Sequence, residues 1–307
     1  MKPLLNGHIL FSITQANVPT ILREVDLTGY TIREMNAPIL AAKMQAAGFD
    51  FVPTEYHHDL LPLPNGHVIV LTNFTKQFNN LPGYSGTTEV IGDGVIDLDE
   101  NWNPVWAWNT FDYLDVNRHP FGLPDWTHGN TLMYSPGDGN IVFSMRNQSL
   151  ILKIDYNNGA GSGNIVWRLG YQGDFALTAG GVPTDDPSMW FSGQHFPSLI
   201  SQTLPQTTLA IWDNGDNRVL DTSGATCGPR PRLSPAIREQ PYFRLMKVPW
   251  WPIWPGTIYQ ESTGYGAGAL INWRTGTSNS MATPSPLRQF QTKLPGYERS
   301  HKLPLRR

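Results

Sequence analysis

A recurring turn constrains this chain more than any other feature. Asn-Gly or Asp-Gly stands ahead of an apolar, β-rich run three times, in NGHILFS (6–12), NGHVIVLT (65–72) and DGNIVFSM (138–145). These dipeptides supply the positive φ that tight hairpins need, so each reads as a hairpin entering a buried strand. Two longer segments, GVIDLDENWNPVWAWN (94–109) and LILKIDYNNGAGSGNIVWRLG (150–170), each read as an alternating strand, a loop and a Trp-containing strand. The turns lie 59 and 73 residues apart, which suits the four-stranded blades of a β-propeller with loop insertions. One helix is predicted at APILAAKMQAAG (37–48), ended by a glycine. The innermost strand of the first repeat is expected ahead of Met1, so the chain reads as starting inside a blade.

Composition agrees with a strand-rich fold. Gly and Pro together number 55 of 307 residues, 40% are apolar and only 15% are charged. The net charge of −3 provides no basic surface for nucleic acid. No apolar run approaches the ~20 residues of a membrane span. The single cysteine, Cys227, cannot form an internal disulfide. No signal peptide is read at the N-terminus, where Met1-Lys2 is followed directly by LLNGHILFS.

Histidines recur with the turns. EYHHDLLPLPNG (55–66), DWTHGNTLMYSPGDG (125–139) and SGQHFPSLISQTLPQTTLAIWDNGDNR (192–218) each carry one several residues before a turn and its strand. In a propeller, the starts of the inner strands surround a central channel, so residues distant in sequence converge in space. That expectation gathers His58, His128 and His195, with His57 the alternative in the first pair, beside Asn130 and Arg146. A lone histidine near a turn is usually structural, whereas three in register beside an arginine point to a site. Three histidines can hold zinc, but an adjacent guanidinium disfavours a dication and suits an anion. With no Cys pair and no His-Glu-x-x-His helix, no metal site is assigned.

The ordered series HHDLLPLPNGH, DWTHGNTL, SMRNQSLILKID, GQHFPSL and IWDNGDNR resembles the motifs of bacterial arylsulfate sulfotransferases. The resemblance runs from about Met1 to Cys227. It implies an all-β fold, a six-bladed β-propeller of which about three and a half blades are recognisable here. It also implies transfer of a sulfuryl group from a phenolic sulfate ester to a phenol, with no metal or organic cofactor. By the same resemblance His195 matches the nucleophile that becomes a sulfohistidine. His128 and Asn130 match channel residues that contact the sulfuryl and phenolic oxygens, and Arg146 matches the sulfate-binding arginine. The HHD motif supplies a further channel histidine, assigned to His58 over His57. The intact family member is expected in the periplasm, and its oligomeric state is left open.

After Cys227 this pattern stops. Residues 1–227 carry 10 Lys/Arg against 22 Asp/Glu, a net of −12, whereas residues 228–307 carry 12 against 3, a net of +9, and 11 of the 26 prolines. The second segment therefore reads as an irregular tail. Shifted by one constant codon offset, its text from Pro235 to Pro252 can encode RYSRATIFQIDESTMVA, and from Gln260 to Met281 RVYWIWGGSINQLANGNVEFD. The second string has an Asn-Gly turn and strand alternation, so the tail is read as out of frame. The chain is accordingly expected to be an inactive fragment of a sulfotransferase. Two competing readings are a propeller that only binds a ligand or partner, and a quinoprotein-like propeller suggested by NPVWAW and NIVWRLG. Those tryptophans are expected instead to dock neighbouring blades.

Overall fold

Each recurring turn opens the second strand of a four-stranded antiparallel sheet. The computed structural model describes residues 1–179, 182–203 and 206–216, and beyond these only the backbone of short strands. The first sheet contains β1 (Lys2–Pro3), β2 (Ile9–Ile13), β3 (Ile21–Val25) and β4 (Thr31–Asn36). The second contains β5 (Glu55–Pro62), β6 (Val68–Asn79), β7 (Thr87–Leu98) and β8 (Pro104–Asn109). The third contains β9 (Gly129–Ser135), β10 (Asn140–Met145), β11 (Leu150–Ile154) and β12 (Ile165–Gly170). In all three the strands lie side by side in chain order. The chain is all-β.

A fourth sheet is begun by β13 (Ala176–Ala179), β14 (Val182–Thr184), β15 (His195–Thr203) and β16 (Gln206–Asp213). A two-stranded ribbon of β17 (Val219–Leu220) and β18 (Thr226–Cys227) follows. Then come β19 (Tyr242–Pro249), β20 (Thr257–Glu261) and β21 (Ala269–Arg274), which complete the order β14-β13-β20-β21-β19-β16-β15. Apart from these backbone strands, the predicted irregular tail lies outside the described residues.

In the first sheet Lys2 and Pro3 pair with Leu10 and Ile9 across the Asn6-Gly7 turn, in the place that β5 and β9 take in the second and third sheets. The turn itself follows the dipeptide. Gly7, Gly66 and Gly139 sit at φ +84°, +88° and +69°, where a side chain would be strained.

A polar tie accompanies each turn at an equivalent place. Glu24 pairs with Leu10, Asp97 with Ile69 and Lys153 with Val142, partners that each stand three residues beyond the turn glycine. His8 Nδ1 contacts Glu24 at 2.6 Å, and His67 Nδ1 contacts Asp97 at 3.1 Å. In the third sheet the polarity reverses, and Lys153 pairs with Asp138 of the turn. All three strand residues are buried, so each needs its partner to offset lost hydration.

The predicted helix is α1 (Ala37–Ala46), which starts where Asn36 accepts a hydrogen bond from the Ile39 N–H at 2.9 Å. It buries Ala37, Leu40 and Met44 in a core shared with Leu10, Leu22 and Val70, between the first and second sheets. A second core joins Leu71, Val95 and Trp108 to Leu132, Phe143 and Leu152 of the third sheet. A third core joins Val142, Ile151 and Trp167 to Leu209 and Ile211. The tryptophans dock neighbouring sheets as expected. Trp108 is fully buried and donates Nε1–H to the Gly163 carbonyl at 2.9 Å, and Trp106 packs on Tyr156. Truncating a buried side chain of this size typically costs about 3–5 kcal/mol.

This stacking sets the first strands side by side. β5 lies against β9, and β9 against β15.

Candidate active site

Because β5, β9 and β15 are neighbours, the residues at their starts converge. His57 and His58 lie on β5, His128 immediately precedes β9, Asn130 is within β9, and His195 opens β15. Arg146 follows β10 and is returned to the same end, because its N–H donates to the His128 carbonyl at 3.1 Å.

The backbone is distorted at each histidine. His58, His128 and Phe196 have φ of 48°, 50° and 47°, a left-handed conformation that costs a non-glycine residue roughly 1 kcal/mol or more. The ladders skip at the same places, between Tyr56 and Leu60, beside Gly129, and between His195 and Ser198. Bulges of this kind re-aim side chains out of strand alternation.

The rings form a contiguous group. His57 and His58 meet edge to face with centroids 5.1 Å apart, and His58 meets His128 at 4.8 Å. His57 Nδ1 lies 2.8 Å from His58 Nδ1, and its Nε2 lies 3.1 Å from Asp93 Oδ1. His128 Nδ1 contacts Asp125 Oδ2 at 2.5 Å. His195 is close enough to be influenced by the charges of Arg146, His128 and Asp216.

His195 is fixed by its Nδ1. That atom lies 3.1 Å from the Gly193 carbonyl and 3.1 Å from Asn214 Nδ2, which itself donates to the same carbonyl at 2.7 Å. The carbonyl could take a proton from Nδ1 and the Asn214 amide could give one to it, so the two contacts hold the ring in place without selecting its tautomer. Gly193 must be glycine here: its φ is +59°, and a Cβ would lie 2.0 Å from Asp216 Oδ2. Next to it, Gln194 is fully buried and donates to Ser144 Oγ and to the Met145 and Leu150 carbonyls, locking the start of β15 onto the third sheet.

The remaining predicted residues are also tied in. Arg146 donates to Asp216 Oδ2 at 2.9 Å and to Asn147 Oδ1 at 2.7 Å, and lies 5.3 Å over the Phe121 ring. Asn130 donates Nδ2–H to the Gln194 carbonyl at 2.7 Å, while its Oδ1 is buried with no hydrogen-bond partner. Beside the cluster opens a pocket of about 450 Å³, lined by His195, Phe196, Trp212 and Asn214.

Electrostatics sorts the imidazoles. Burial and the neighbouring His57 and His128 push His58 down to about 4. Burial, aided by the charges of Arg146 and His128, also lowers His195. In His57, burial opposes the charge but is outweighed by the nearby Asp93 carboxylate, so its pKa is raised. Asp125 is lowered: burial opposes its charge, and the His128 hydrogen bond outweighs it. His58 and His195 are therefore neutral near pH 7. Among the described residues no group of three or more His, Cys, Asp or Glu is arranged to hold a metal ion. None of the described helices is long and apolar enough to cross a membrane.

A family model for arylsulfotransferases (ASST) matches residues 1–230. The chain belongs to the arylsulfotransferase family. No curated protein matches the chain. The family match covers every site residue and ends close to Cys227, where the sequence pattern is lost. The candidate site also includes residues that sequence reasoning missed, namely Asp93, Asp125, Gln194, Asn214 and Asp216. Asp125 stands three residues before His128, and Asn214 and Asp216 fall in the quoted motif IWDNGDNR. Asp93 carried the subtlest signal, a carboxylate between two glycines in the run VIGDGVI.

Proposed function

We propose that this site transfers a sulfuryl group from a phenolic sulfate ester to a phenol through a sulfohistidine on His195. One observation carries the reading. A neutral histidine and an arginine side chain, brought together from separate sheets, stand beside a pocket walled by Phe196 and Trp212. The stacked sheets, with β5, β9 and β15 adjacent, support reading the fold as part of a six-bladed propeller.

In the first half-reaction His195 Nε2 attacks sulfur, the S–O bond to the arene breaks, and the leaving phenolate takes a proton from a neighbouring imidazole. In the second, the acceptor phenol gives its proton to that imidazole, its oxygen attacks sulfur, and the N–S bond breaks. Negative charge stays on the equatorial oxygens throughout, so Arg146 stabilises both steps once it exchanges Asp216 for the sulfuryl group. The aromatic walls suit the ring of the donor. We read the residues after Cys227 as an out-of-frame continuation and assign the activity to the frame-restored protein.

The test is to incubate that protein with phenyl sulfate and no acceptor, then locate any adduct by mass spectrometry. Sulfuryl mass on His195 is expected, and its absence with retained transfer, or its appearance on His128 or His58, overturns the assignment.

A further inference from the structure

Two adjacent residues of a regular strand point to opposite faces, yet His57 and His58 touch. The left-handed backbone at His58 swings its ring to the side of His57. The contact joins two Nδ1 atoms, so one must donate and the other accept. The far side of His57 decides which. Its Nε2 lies 3.1 Å from Asp93 Oδ1, within ion-pair distance though not aligned for a hydrogen bond, and that carboxylate is 3% exposed at its side chain, with Oδ2 accepting the Gly129 N–H at 2.7 Å. A buried carboxylate beside an imidazole favours the doubly protonated ring. His57 then has an Nδ1–H to give, and His58 accepts it.

We propose that Asp93 and His57 form a proton relay behind His58, making His58 the acid that protonates the leaving phenolate and His57 a positioning and proton-storing residue. The inference rests on the sulfotransferase reading for its reaction and on the contacts above for its direction. With Nδ1 accepting, His58 carries its hydrogen on Nε2. When that proton passes to the phenolate oxygen, the Nδ1–H of His57 moves to His58 Nδ1. His57 is left neutral, its remaining Nε2–H held by Asp93. The acceptor phenol reverses each transfer, so protons balance over the cycle.

The relay answers a chemical difficulty. A neutral imidazole that gives up its only N–H becomes an unfavourable anion, and His58, exposed yet set against other imidazoles, holds a second proton poorly. A charged His57 removes the difficulty by supplying the proton concertedly. The groups acting on His57 are Asp93 on β7, the Thr72 backbone on β6, and Glu55 and His58 on its own strand. Those acting on His58 are His57, Asp93, His128 and His195.

The experiment is ring-nitrogen NMR on the 307-residue chain labelled with ¹⁵N-histidine, with Asp93→Asn for comparison. In the native chain His57 is expected to be doubly protonated at neutral pH and His58 neutral with hydrogen on Nε2. Asp93→Asn keeps an oxygen for Gly129 and offers an N–H to His57 Nε2. His57 should then titrate about one pH unit or more lower, with the His58 tautomer retained. A neutral His57, or hydrogen on Nδ1 of His58, in the native chain alone overturns the proposal. So does an unchanged His57 titration in the variant.

Transfer assays on the frame-restored protein supply a second readout. Asp93→Asn should slow transfer from phenyl sulfate by about 10²-fold or more, and far less from the sulfate of a more acidic phenol such as 4-nitrophenol. Equal slowing of both esters counts against the relay. If neither ester transfers even without the substitution, the sulfotransferase reading fails, while the ring-nitrogen result still decides the His57 assignment.

Discussion

Asn130 of the third sheet donates its side-chain amide to the backbone carbonyl of Gln194, 2.7 Å away at the threshold of the next sheet. This bond spans the interface directly beside His195, so the position of that ring depends on a residue 65 places earlier in the sequence. Asn130→Ala removes the only hydrogen bond shown for that buried amide and leaves the Gln194 carbonyl short of a partner. A loss of about 1–3 kcal/mol in unfolding free energy is expected, measured by denaturant titration of the frame-restored protein. A neutral result would mean that the sheets hold their register without this bond.

Arg146→Ala should retain sulfohistidine formation while slowing both half-reactions by about 10²–10³-fold, the usual effect of removing one preorganised electrostatic contact. Rapid-quench measurement of adduct formation and decay checks this. Slowing confined to one direction would show that the arginine does not follow the transferring group. His195→Asn, by contrast, should abolish the adduct altogether.

The pH dependence has a definite sign. His195 has its pKa lowered first by burial and then by the charges of Arg146 and His128. Its nucleophilic form therefore persists below the ordinary histidine range, and the first half-reaction should fall only as pH drops through the lowered value. Arg146→Ala removes one of those charges and should move this acid limb to higher pH, readable from single-turnover rates against pH. A limb that stays in place would exclude Arg146 as a neighbour of the titrating ring.

Stability should respond to His58 in the same direction. Its folded pKa of about 4 lies below the ordinary 6.5, so the unfolded chain binds the extra proton first. His58 should therefore reduce stability as pH falls from about 6.5 to about 4. His57, with a raised pKa, acts oppositely: its contribution is present below its ordinary value and is lost as pH rises through the raised one. His58→Gln should flatten the acid side of a Tm-against-pH curve in the frame-restored protein, and an unchanged slope would exclude it as the titrating group.

The gene provides another check. Nucleotide sequence across codons 225–240 should contain a frame change, and the restored frame should read through the WGGSINQLANGNVEFD string as a further blade. Stop codons or unrelated residues in that frame would overturn the account of the tail.

Much of this architecture was legible because local rules and global arrangement coincide. Asn6-Gly7, Asn65-Gly66 and Asp138-Gly139 marked turns where only certain residues adopt the required φ. The strands following them alternate as half-buried sheets must. The histidines were legible as a recurring position, since strand equivalence turns sequence period into spatial convergence. Their partners were not. Asp93 meets His57 across the strands of one sheet and Asn214 meets His195 from the end of the neighbouring strand, and nothing local distinguishes a buried carboxylate that faces an imidazole from one that ties a turn, as Asp97 does. The choice between His57 and His58 depended on one backbone dihedral, which strand alternation does not reveal.

The polar ties beneath the turns make the repeated units less interchangeable than their likeness suggests. Glu24, Asp97 and Lys153 occupy one equivalent register position, but the third carries the opposite charge and is matched by an aspartate in its own turn. Moving the Asn65–His67 turn into the third sheet would set a histidine against a buried ammonium and strand both. Each unit thus carries its own lock and key, so shuffling segments among them would penalise hybrids even where backbone and core remain compatible.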